Sequence, residues 1–377
     1  MGKIFSGKNR PLKLVLNGTI LLVGLIVILA LIKIQTSKPK SQTQVVSPVA
    51  TSSTKVVVKK PPQIPKLSLE SIFATESAKL SDLDQSKIVG LIATGDVIPA
   101  RGVNWLAATK VGFNFAWEKT ADFLKKADLT LINLEAPIFA GCPVIMTGFT
   151  FCGTDNHIQG MTLAGVDVAS LANNHIGNFG SDGTNKTIKL LTDNGIEYSG
   201  FDHLGIKEVK GVKLGFLAFN GIGVTLPKDE MATEIAESKK KVDVLIVSVH
   251  WGKEYESLPL TDGNIAPDNP VEIGHLMIDS GADLIIGNHP HWVQGVELYK
   301  DKLITYAHGN FIFDQTWSEE TKEGVVGEYT FYDKKLIQVH YRPTKFDNQY
   351  QPRFLTQSEG AHILKRMQAA SIQLAKQ

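Results

Sequence analysis

Six short apolar runs, each followed by Asp, Glu, Asn or His, constrain the fold of this chain more than any other feature of its sequence. The pattern is clearest where Leu284–Ile286 gives way to Gly287 and then to Asn288-His289-Pro290-His291. Neutral imidazole is a common metal ligand, and a proline between two histidines restricts the backbone that positions them. The runs and the polar residues after them are Ile88–Thr94 with Asp96, Leu129–Ile132 with Asn133 and Glu135, Val166–Ala172 with Asn173, Asn174 and His175, Val242–Val249 with His250, Leu284–Ile286 with His289 and His291, and Leu303–Ala307 with His308 and Asn310.

Runs of this kind, with Val, Ile and Leu on both faces, are typical of strands that are buried on both sides of a sheet. Ligands bind such sheets at the carboxyl ends of the strands, so the polar residues should converge on one crevice. Two hairpins are also expected, one at Lys210-Gly211 and one around Asp333–Lys335. The sequence therefore predicts an α/β domain, a layered β-sandwich flanked by helices.

Four segments are predicted as helices. Helical spacing of apolar residues occurs in Asn114–Lys126 and in Asp182–Asp193. Asn269 and Pro270 form a favourable N-cap and first-turn pair for a helix that runs to Ser280. The last segment, Ser358–Lys376, is typical of a terminal amphipathic helix.

The first 66 residues differ in composition from the rest. Leu14 to Ile32 is apolar and uncharged, close to the ~20 residues that cross a bilayer, and the short basic tail before it should stay in the cytoplasm. A cleaved signal peptide is the alternative, although no A-x-A site follows the segment. We therefore predict a cytoplasmic tail 1–13, a transmembrane helix 14–32, a disordered linker 33–66 and an extracytoplasmic domain 67–377, which makes a single-pass protein of the cell membrane.

Charge and cysteine content limit the partners and the redox state. A formal net charge of +1 gives no reason to expect nucleic acid as a partner. The chain has only two cysteines, Cys142 and Cys152. In an exported protein a lone nearby pair is typical of a disulfide that closes a short loop; two buried free thiols are the alternative.

Between about Lys87 and Pro343 the chain carries six short motifs in a fixed order. They are Gly95-Asp96-Val97-Ile98-Pro99-Ala100-Arg101, Asn133-Leu134-Glu135, Leu171-Ala172-Asn173-Asn174-His175, His250-Trp251-Gly252-Lys253-Glu254-Tyr255, His289-Pro290-His291 followed by Gln294-Gly295, and Gly309-Asn310-Phe311-Ile312-Phe313-Asp314. This series resembles the CapA family of capsule synthesis proteins, which is associated with poly-γ-glutamate capsules. The resemblance implies a fold similar to that of the calcineurin-like metallophosphoesterases.

The resemblance also implies a site for one or two divalent ions, which would be Mn, Fe or Zn. The implied metal ligands are Asp96, Glu135, Asn174, His250, His289 and His291. A Glu placed between two ions could bridge them, and a pair of ions could steady both oxygens of an in-line displacement. His175 would then be the general acid for the leaving group, and Arg101 could bind a phosphate or a carboxylate through its planar fork.

Some positions depart from the expected pattern. Metallophosphoesterases begin with Asp-x-His, whereas Val97 and Ile98 follow Asp96, so one ion would lack a ligand. Asn178 stands where the family often has Asp, which weakens any account in which a carboxylate orients His175. Glu254 is either a partner of a metal-binding histidine or an ordinary surface charge.

Three functions stay open at this point. Two are metal-dependent hydrolases, one of which acts on phosphoesters outside the membrane and the other on amide bonds of an anionic polymer such as polyglutamate or peptidoglycan. The third is a non-enzymatic subunit that binds an anionic polymer during capsule assembly or export. We favour a membrane-anchored protein of cell-surface polymer biosynthesis with a hydrolase site; capsule synthase subunits are a further partner that the sequence leaves open.

Overall fold

The computed structural model describes residues 63–74 and 78–376. The predicted cytoplasmic tail 1–13, the predicted transmembrane helix 14–32 and nearly all of the predicted linker 33–66 lie outside the described residues, so these assignments stay predictions. Among the helices in the described ranges, none is both long and apolar enough to cross a membrane.

Strands and helices alternate along the described chain. The strands are β1 Ile88–Val97, β2 Leu129–Leu134, β3 Val168–Ser170, β4 Glu197–Ser199, β5 Gly205–Val209, β6 Val212–Asn220, β7 Val244–His250, β8 Leu284–Asn288, β9 Val296–Tyr299, β10 Lys302–Thr305, β11 Asn310–Ile312, β12 Glu323–Tyr332, β13 Lys335–Phe346 and β14 Pro352–Phe354. The α-helices are α1 Leu69–Ile72, α2 Arg101–Leu106, α3 Ala121–Leu124, α4 Ile158–Leu163, α5 Gly180–Asp193, α6 Lys228–Lys239, α7 Pro270–Asp279, α8 Glu319–Lys322 and α9 Gln357–Leu374.

The strands form two sheets. The first has the order β14-β13-β12-β1-β2-β3-β4, with β11 also paired to β1, and the second has the order β5-β6-β7-β8-β10-β9. Strands β1 to β4 are parallel to one another, and so are β6, β7, β8 and β10. Each sheet therefore presents a set of strand carboxyl ends at one edge.

The two sheets pack face to face between two layers of helices. Leu91 and Tyr329 of the first sheet meet Phe216 and Ile246 of the second in the core between them. The opposite face of the first sheet packs against a cluster that includes Trp117, and helices α6 and α7 cover the opposite face of the second sheet. The predicted layered β-sandwich flanked by helices is confirmed.

Most of the predicted elements are present. Each of the six apolar runs contains a strand, both hairpins form as β5–β6 and β12–β13, and α5, α7 and α9 match predicted helices. Asn269 caps α7 by accepting from the Val271 amide at 2.9 Å. The predicted helix Asn114–Lys126 is wrong over most of its length, because Thr120 bonds the Trp117 carbonyl through both its amide (2.9 Å) and its hydroxyl (3.1 Å), which favours turns there and leaves only α3.

Gly95 lies where two segments of the chain approach each other closely. A Cβ added at Gly95 would stand 2.0 Å from the Gly309 carbonyl oxygen, and the amide of the next residue, Asp96, donates to that same oxygen at 2.9 Å. Gly309 has a φ of +71°, in the left-handed region that favours glycine. The two glycines thus allow the contact that sets Asp96 opposite Asn310 in the parallel pair of β1 and β11.

We expect Gly95→Ala to lower the free energy of unfolding by about 1 to 3 kcal/mol, because the methyl group would push β1 away from the Gly309 carbonyl. Thermal unfolding followed by circular dichroism measures this change. Gly90→Ala is the matched control in the same strand, since a Cβ there would lie 3.8 Å from Asp128 in ordinary contact. Equal losses in the two variants would contradict the prediction.

Candidate metal centre

The polar residues that follow the strands converge at one edge of the sandwich, and the two sheets share them. Asp96 lies opposite Asn133 of β2 in the first sheet, while His250 ends β7 opposite Asn288 of β8 in the second. Glu135 follows β2, and its amide donates to the Val97 carbonyl at 2.9 Å. The crevice that the sequence predicts is therefore formed from both layers.

Glu135 belongs to two groups of residues that could each hold a metal ion. One group combines it with His289 and His291, and the other with Asp96 and His250. Within each group the ligand atoms lie within 4.8 Å of one another, and every member is buried. The structure thus brings together five of the six predicted metal ligands, and Glu135, the carboxylate that could bridge two ions, belongs to both groups.

Asn174, the sixth predicted ligand, joins the group through His250. Its Oδ1 lies 3.0 Å from the His250 Nε2, and that nitrogen lies 3.4 Å from the Glu135 Oε1. A carbonyl-type oxygen, an imidazole nitrogen and a carboxylate oxygen therefore meet at one point. This donor set suits Mn, Fe or Zn.

Several polar atoms of the crevice are buried without a hydrogen-bond partner. They include the Glu135 Oε1 and both ring nitrogens of His289. A buried polar atom that lacks a partner costs free energy, so such atoms are rare unless a further group satisfies them. A cation between these atoms would satisfy them, and the residues present therefore fit a metal ion.

The orientation of His291 also fits a metal ligand. The Asn310 Nδ2 donates to the Thr321 carbonyl at 2.9 Å, so the Asn310 Oδ1 is the acceptor for the His291 Nδ1 at 2.9 Å. The same His291 nitrogen lies 3.3 Å from an Asp96 oxygen. Its Nδ1 thus carries the proton, which leaves Nε2 as the nitrogen able to bind a metal.

Two asparagines hold the Asp96 carboxylate in place. Its Oδ1 accepts from the Asn133 Nδ2 at 2.8 Å and from the Asn288 Nδ2 at 2.9 Å. The Asn133 amide also reaches the Glu135 Oε2 at 3.3 Å. Both asparagines are predicted at strand ends but without a role, and their position after the apolar runs is the signal that could have revealed one.

Burial sets the protonation states of the crevice. It raises the pKa of Glu135 well above its usual value, to which the nearby Asp96 charge adds, and it lowers the pKa of His250 to about 3 and that of His289 well below its usual value. Burial also lowers the pKa of His291, but its hydrogen bond with Asp96 and the charges of Glu135 and Asp96 outweigh this and raise it to about 9. His250 and His289 are therefore neutral at pH 7, the form that binds metals.

His175, the predicted general acid, lies beside this crevice. Its ring stacks on Phe151 with the centroids 4.0 Å apart, and its Nδ1 lies 3.1 Å from the Asn178 Oδ1. The same Asn178 Oδ1 accepts from the Phe151 backbone amide at 2.7 Å, which identifies it as the oxygen of that side chain. The His175 Nδ1 is therefore the donor, and the side-chain amide of Asn178, in place of a carboxylate, orients the ring. Burial lowers the pKa of His175 to about 4, which leaves Nε2 unprotonated at neutral pH.

Arg101, the predicted anion-binding residue, is held by Asp314, a partner that the sequence analysis did not identify. One terminal nitrogen of Arg101 forms an ion pair with the Asp314 Oδ1, and the Asp314 Oδ2 accepts from the Gly102 amide at 3.0 Å. The guanidinium lies over the rings of Phe151 and Phe313, at 4.5 and 5.1 Å from their centroids. Arg101 is thus fixed, and part of its charge is already neutralised.

Glu254 lies on the open side of the two neighbouring histidines. Its Oε1 is 3.9 Å from the His289 Nε2 and 3.8 Å from the His291 Nε2. Of the two interpretations left open for Glu254, its position favours that of a partner of the histidines.

Val97 and Ile98, which stand where a metallophosphoesterase would place its Asp-x-His histidine, are buried in the core.

Comparison with known proteins identifies relatives of this chain. The sequence model of the family "Bacterial capsule synthesis protein PGA_cap" matches residues 90–315. The capsule biosynthesis protein CapA of Bacillus anthracis is 27% identical over 267 residues, which cover 63% of each chain. The PGA biosynthesis protein CapA of Bacillus subtilis (strain 168) is 31% identical over 183 residues, 43% of this chain and 46% of that protein. The chain thus spans less than two thirds of the length of either relative.

Among solved structures, a hypothetical protein from Thermus thermophilus superposes with a TM-score of 0.46 at 15% identity, and the match covers 69% of this chain and 100% of that one.

We expect metal binding to the purified chain to strengthen with pH. His291 is protonated at neutral pH in the metal-free chain because its pKa is about 9, and an ion can bind only the neutral imidazole. The apparent affinity for Mn²⁺ or Zn²⁺ should rise at least ~10-fold per pH unit between about pH 6 and pH 8, with at least one proton released per ion.

Isothermal titration calorimetry in buffers of different ionisation enthalpy measures both quantities. His340→Ala is the control, because His340 bonds Gln338 on β13, outside the crevice, and this variant should keep the wild-type slope. An affinity that does not change between pH 6 and pH 8 would count against a protonated His291.

Proposed function

The chain belongs to the bacterial capsule synthesis protein PGA_cap family, which confirms the resemblance to CapA, and from this premise we propose that it acts in the biosynthesis of a capsular or other cell-surface polymer. The polymer would be of the poly-γ-glutamate type, and the chain would act on it, or on a phosphoester precursor, through a metal-dependent hydrolase site. The relatives named for capsule and PGA biosynthesis support the polymer.

One observation carries the hydrolase part of this proposal. Glu135 is shared by two buried groups of potential metal ligands, and its Oε1 and both nitrogens of His289 lack hydrogen-bond partners. Buried polar atoms without a partner are uncommon, and here three of them belong to the candidate ligands. Ions that complete the two groups therefore explain the arrangement best. The fold around them would be of the metallophosphoesterase type.

The residues that would hold the ions are Asp96, Glu135, Asn174, His250, His289 and His291. When bound, divalent ions supply Lewis acidity that polarises a phosphoryl or carbonyl oxygen and activates water. Asn133 and Asn288 keep Asp96 oriented through its Oδ1. The protein thus contributes a preorganised and largely water-excluded ligand set.

His175 and Arg101 would act on the substrate beside the ions. Because the His175 Nδ1 donates to Asn178 and burial lowers the pKa of His175 to about 4, its Nε2 is unprotonated and only weakly basic at neutral pH. To act as the predicted general acid, His175 would have to take up a proton within the site first. Arg101 keeps donors beyond those paired with Asp314, and these would bind an anionic group of the substrate.

We also propose that the chain is anchored in the cell membrane by Leu14 to Ile32, with residues 67–377 outside the cytoplasm. The disulfide between Cys142 and Cys152, predicted from the cysteine count, supports an oxidising compartment. Capsule synthase subunits would then be partners in the same membrane.

A non-enzymatic role is the second candidate, and one observation favours it. The two positions after Asp96 carry the buried apolar residues Val97 and Ile98 in place of a metal-binding histidine. A centre with one ligand fewer could bind an anionic polymer through a single ion without hydrolysing it. Glu254, close to both neighbouring histidines, is the residue that could offset this loss.

The test is the metal content of the purified full-length chain, measured by elemental analysis beside Asp96→Ala and His291→Ala. We expect one or two ions per chain, and a loss of about one ion per chain in each variant, because each removes a ligand from one of the two groups. Wild-type protein with this content would then be assayed on phosphoesters and on polyglutamate.

His340→Ala again serves as the control and should keep the wild-type metal content. If the folded wild-type chain contains no metal and takes up none from Mn²⁺ or Zn²⁺, the hydrolase proposal is lost. Bound metal without turnover of either substrate class would favour the non-enzymatic role.

A further inference from the structure

The loop closed by Cys142 and Cys152 exposes a cluster of large apolar side chains. Val144 and Ile145 are each 41% exposed, Met146 is 50% exposed and Phe149 is 89% exposed. Other large exposed apolar residues of the described ranges, such as Phe201 and Val224, are separated along the chain. A contiguous exposed apolar surface of this kind marks an interaction site.

This loop is held rigidly beside the metal centre. The disulfide ties its two ends, and near its middle the Gly148 carbonyl accepts from the Arg101 Nη1 at 3.3 Å. At its end Phe151 stacks on His175. The loop is therefore held next to the crevice, and whatever covers its apolar side chains lies close to the candidate site.

The composition of the loop selects the kind of partner. No residue between Ala136 and Thr154 is charged, so the loop offers no charged rim of the sort that orients a protein partner. A lipid bilayer requires only apolar side chains that enter its interface. The insertion would be shallow, because the backbone of an irregular loop needs water for its hydrogen bonds.

The length of the chain outside the described residues allows such a contact. Lys66 lies beside Asp301, which immediately precedes the start of β10, so the described chain begins near the amino ends of the parallel strands, opposite the crevice. Fully extended, the ~30 residues from 33 to 62 would reach about 100 Å. This exceeds the ~33 Å length of the ten-residue strand β1, so a domain tethered at 14–32 can turn its crevice edge to the bilayer.

We propose that the Cys142–Cys152 loop is a membrane-docking loop that inserts Val144, Ile145, Met146 and Phe149 into the interface of the bilayer spanned by Leu14 to Ile32. The inference rests on the membrane anchoring proposed above and is independent of hydrolysis. Docking of the loop sets the metal centre at the lipid surface. Substrates carried on membrane lipids would then reach the site without leaving the bilayer.

The experiment uses the full-length chain in vesicles of phosphatidylcholine and phosphatidylglycerol, with and without brominated phosphatidylcholine, which quenches tryptophan fluorescence on contact. The wild-type emission is subtracted from that of each variant, which leaves the emission of the introduced tryptophan. This emission should be quenched at least ~3-fold more in Phe149→Trp than in Ile64→Trp. Ile64 is a matched position because it is 55% exposed and lies near the opposite edge of the sandwich. Both substitutions are at exposed positions, so the fold should be kept.

Equal quenching in the two variants, or stronger quenching in Ile64→Trp, would overturn the docking loop while leaving the anchor intact. A chain that does not float with the vesicles in a density gradient would overturn the anchor and the docking loop with it. Neither result bears on the metal content of the same preparations, so failure of the hydrolase proposal stays distinguishable.

Discussion

Two buried carboxylates, Asp96 and Glu135, are the constraint on which the rest of the structure depends. Both are almost completely excluded from water, and their mutual repulsion contributes to the raised pKa of Glu135. The fold compensates with amide donors from Asn133 and a protonated His291. The parallel strands and the two glycines of the β1–β11 contact serve to bring these groups within reach of one another.

Much of this arrangement could be predicted from the sequence because buried parallel strands and their carboxyl ends leave a strong local signal. An apolar run followed by His or Asp, as at Val242–Val249 and His250, indicates both the strand and the edge at which its polar residue lies. The sandwich and the convergence of polar residues on one crevice followed from this signal, the hairpins followed from their turn residues, and the set of six candidate ligands followed from the family resemblance. The disulfide followed from the cysteine count together with the predicted export.

The parts that could not be predicted depend on contacts between distant positions or on the orientation of one group. Asp314 pairs with Arg101 across more than 200 residues, and nothing local in either segment indicates the other. An asparagine can direct its oxygen towards a group of candidate metal ligands, as Asn174 does at His250, or its amide donor towards a carboxylate, as Asn288 does, and only the folded geometry decides between them. At 114–126 the helical spacing was real, but the Thr120 hydroxyl offered the backbone an alternative to the helix.

The division of the centre between the two sheets has a consequence for how the molecule reaches its final state. Asp96 and Glu135 belong to the first sheet, whereas His250 and the two histidines that follow β8 come from the second. Neither half can capture an ion alone, and the contacts that join them are far apart in sequence and slow to form. An ion bound at this centre would therefore be captured in the last stage of folding, and it would raise the barrier to unfolding much more than it would speed the early folding steps.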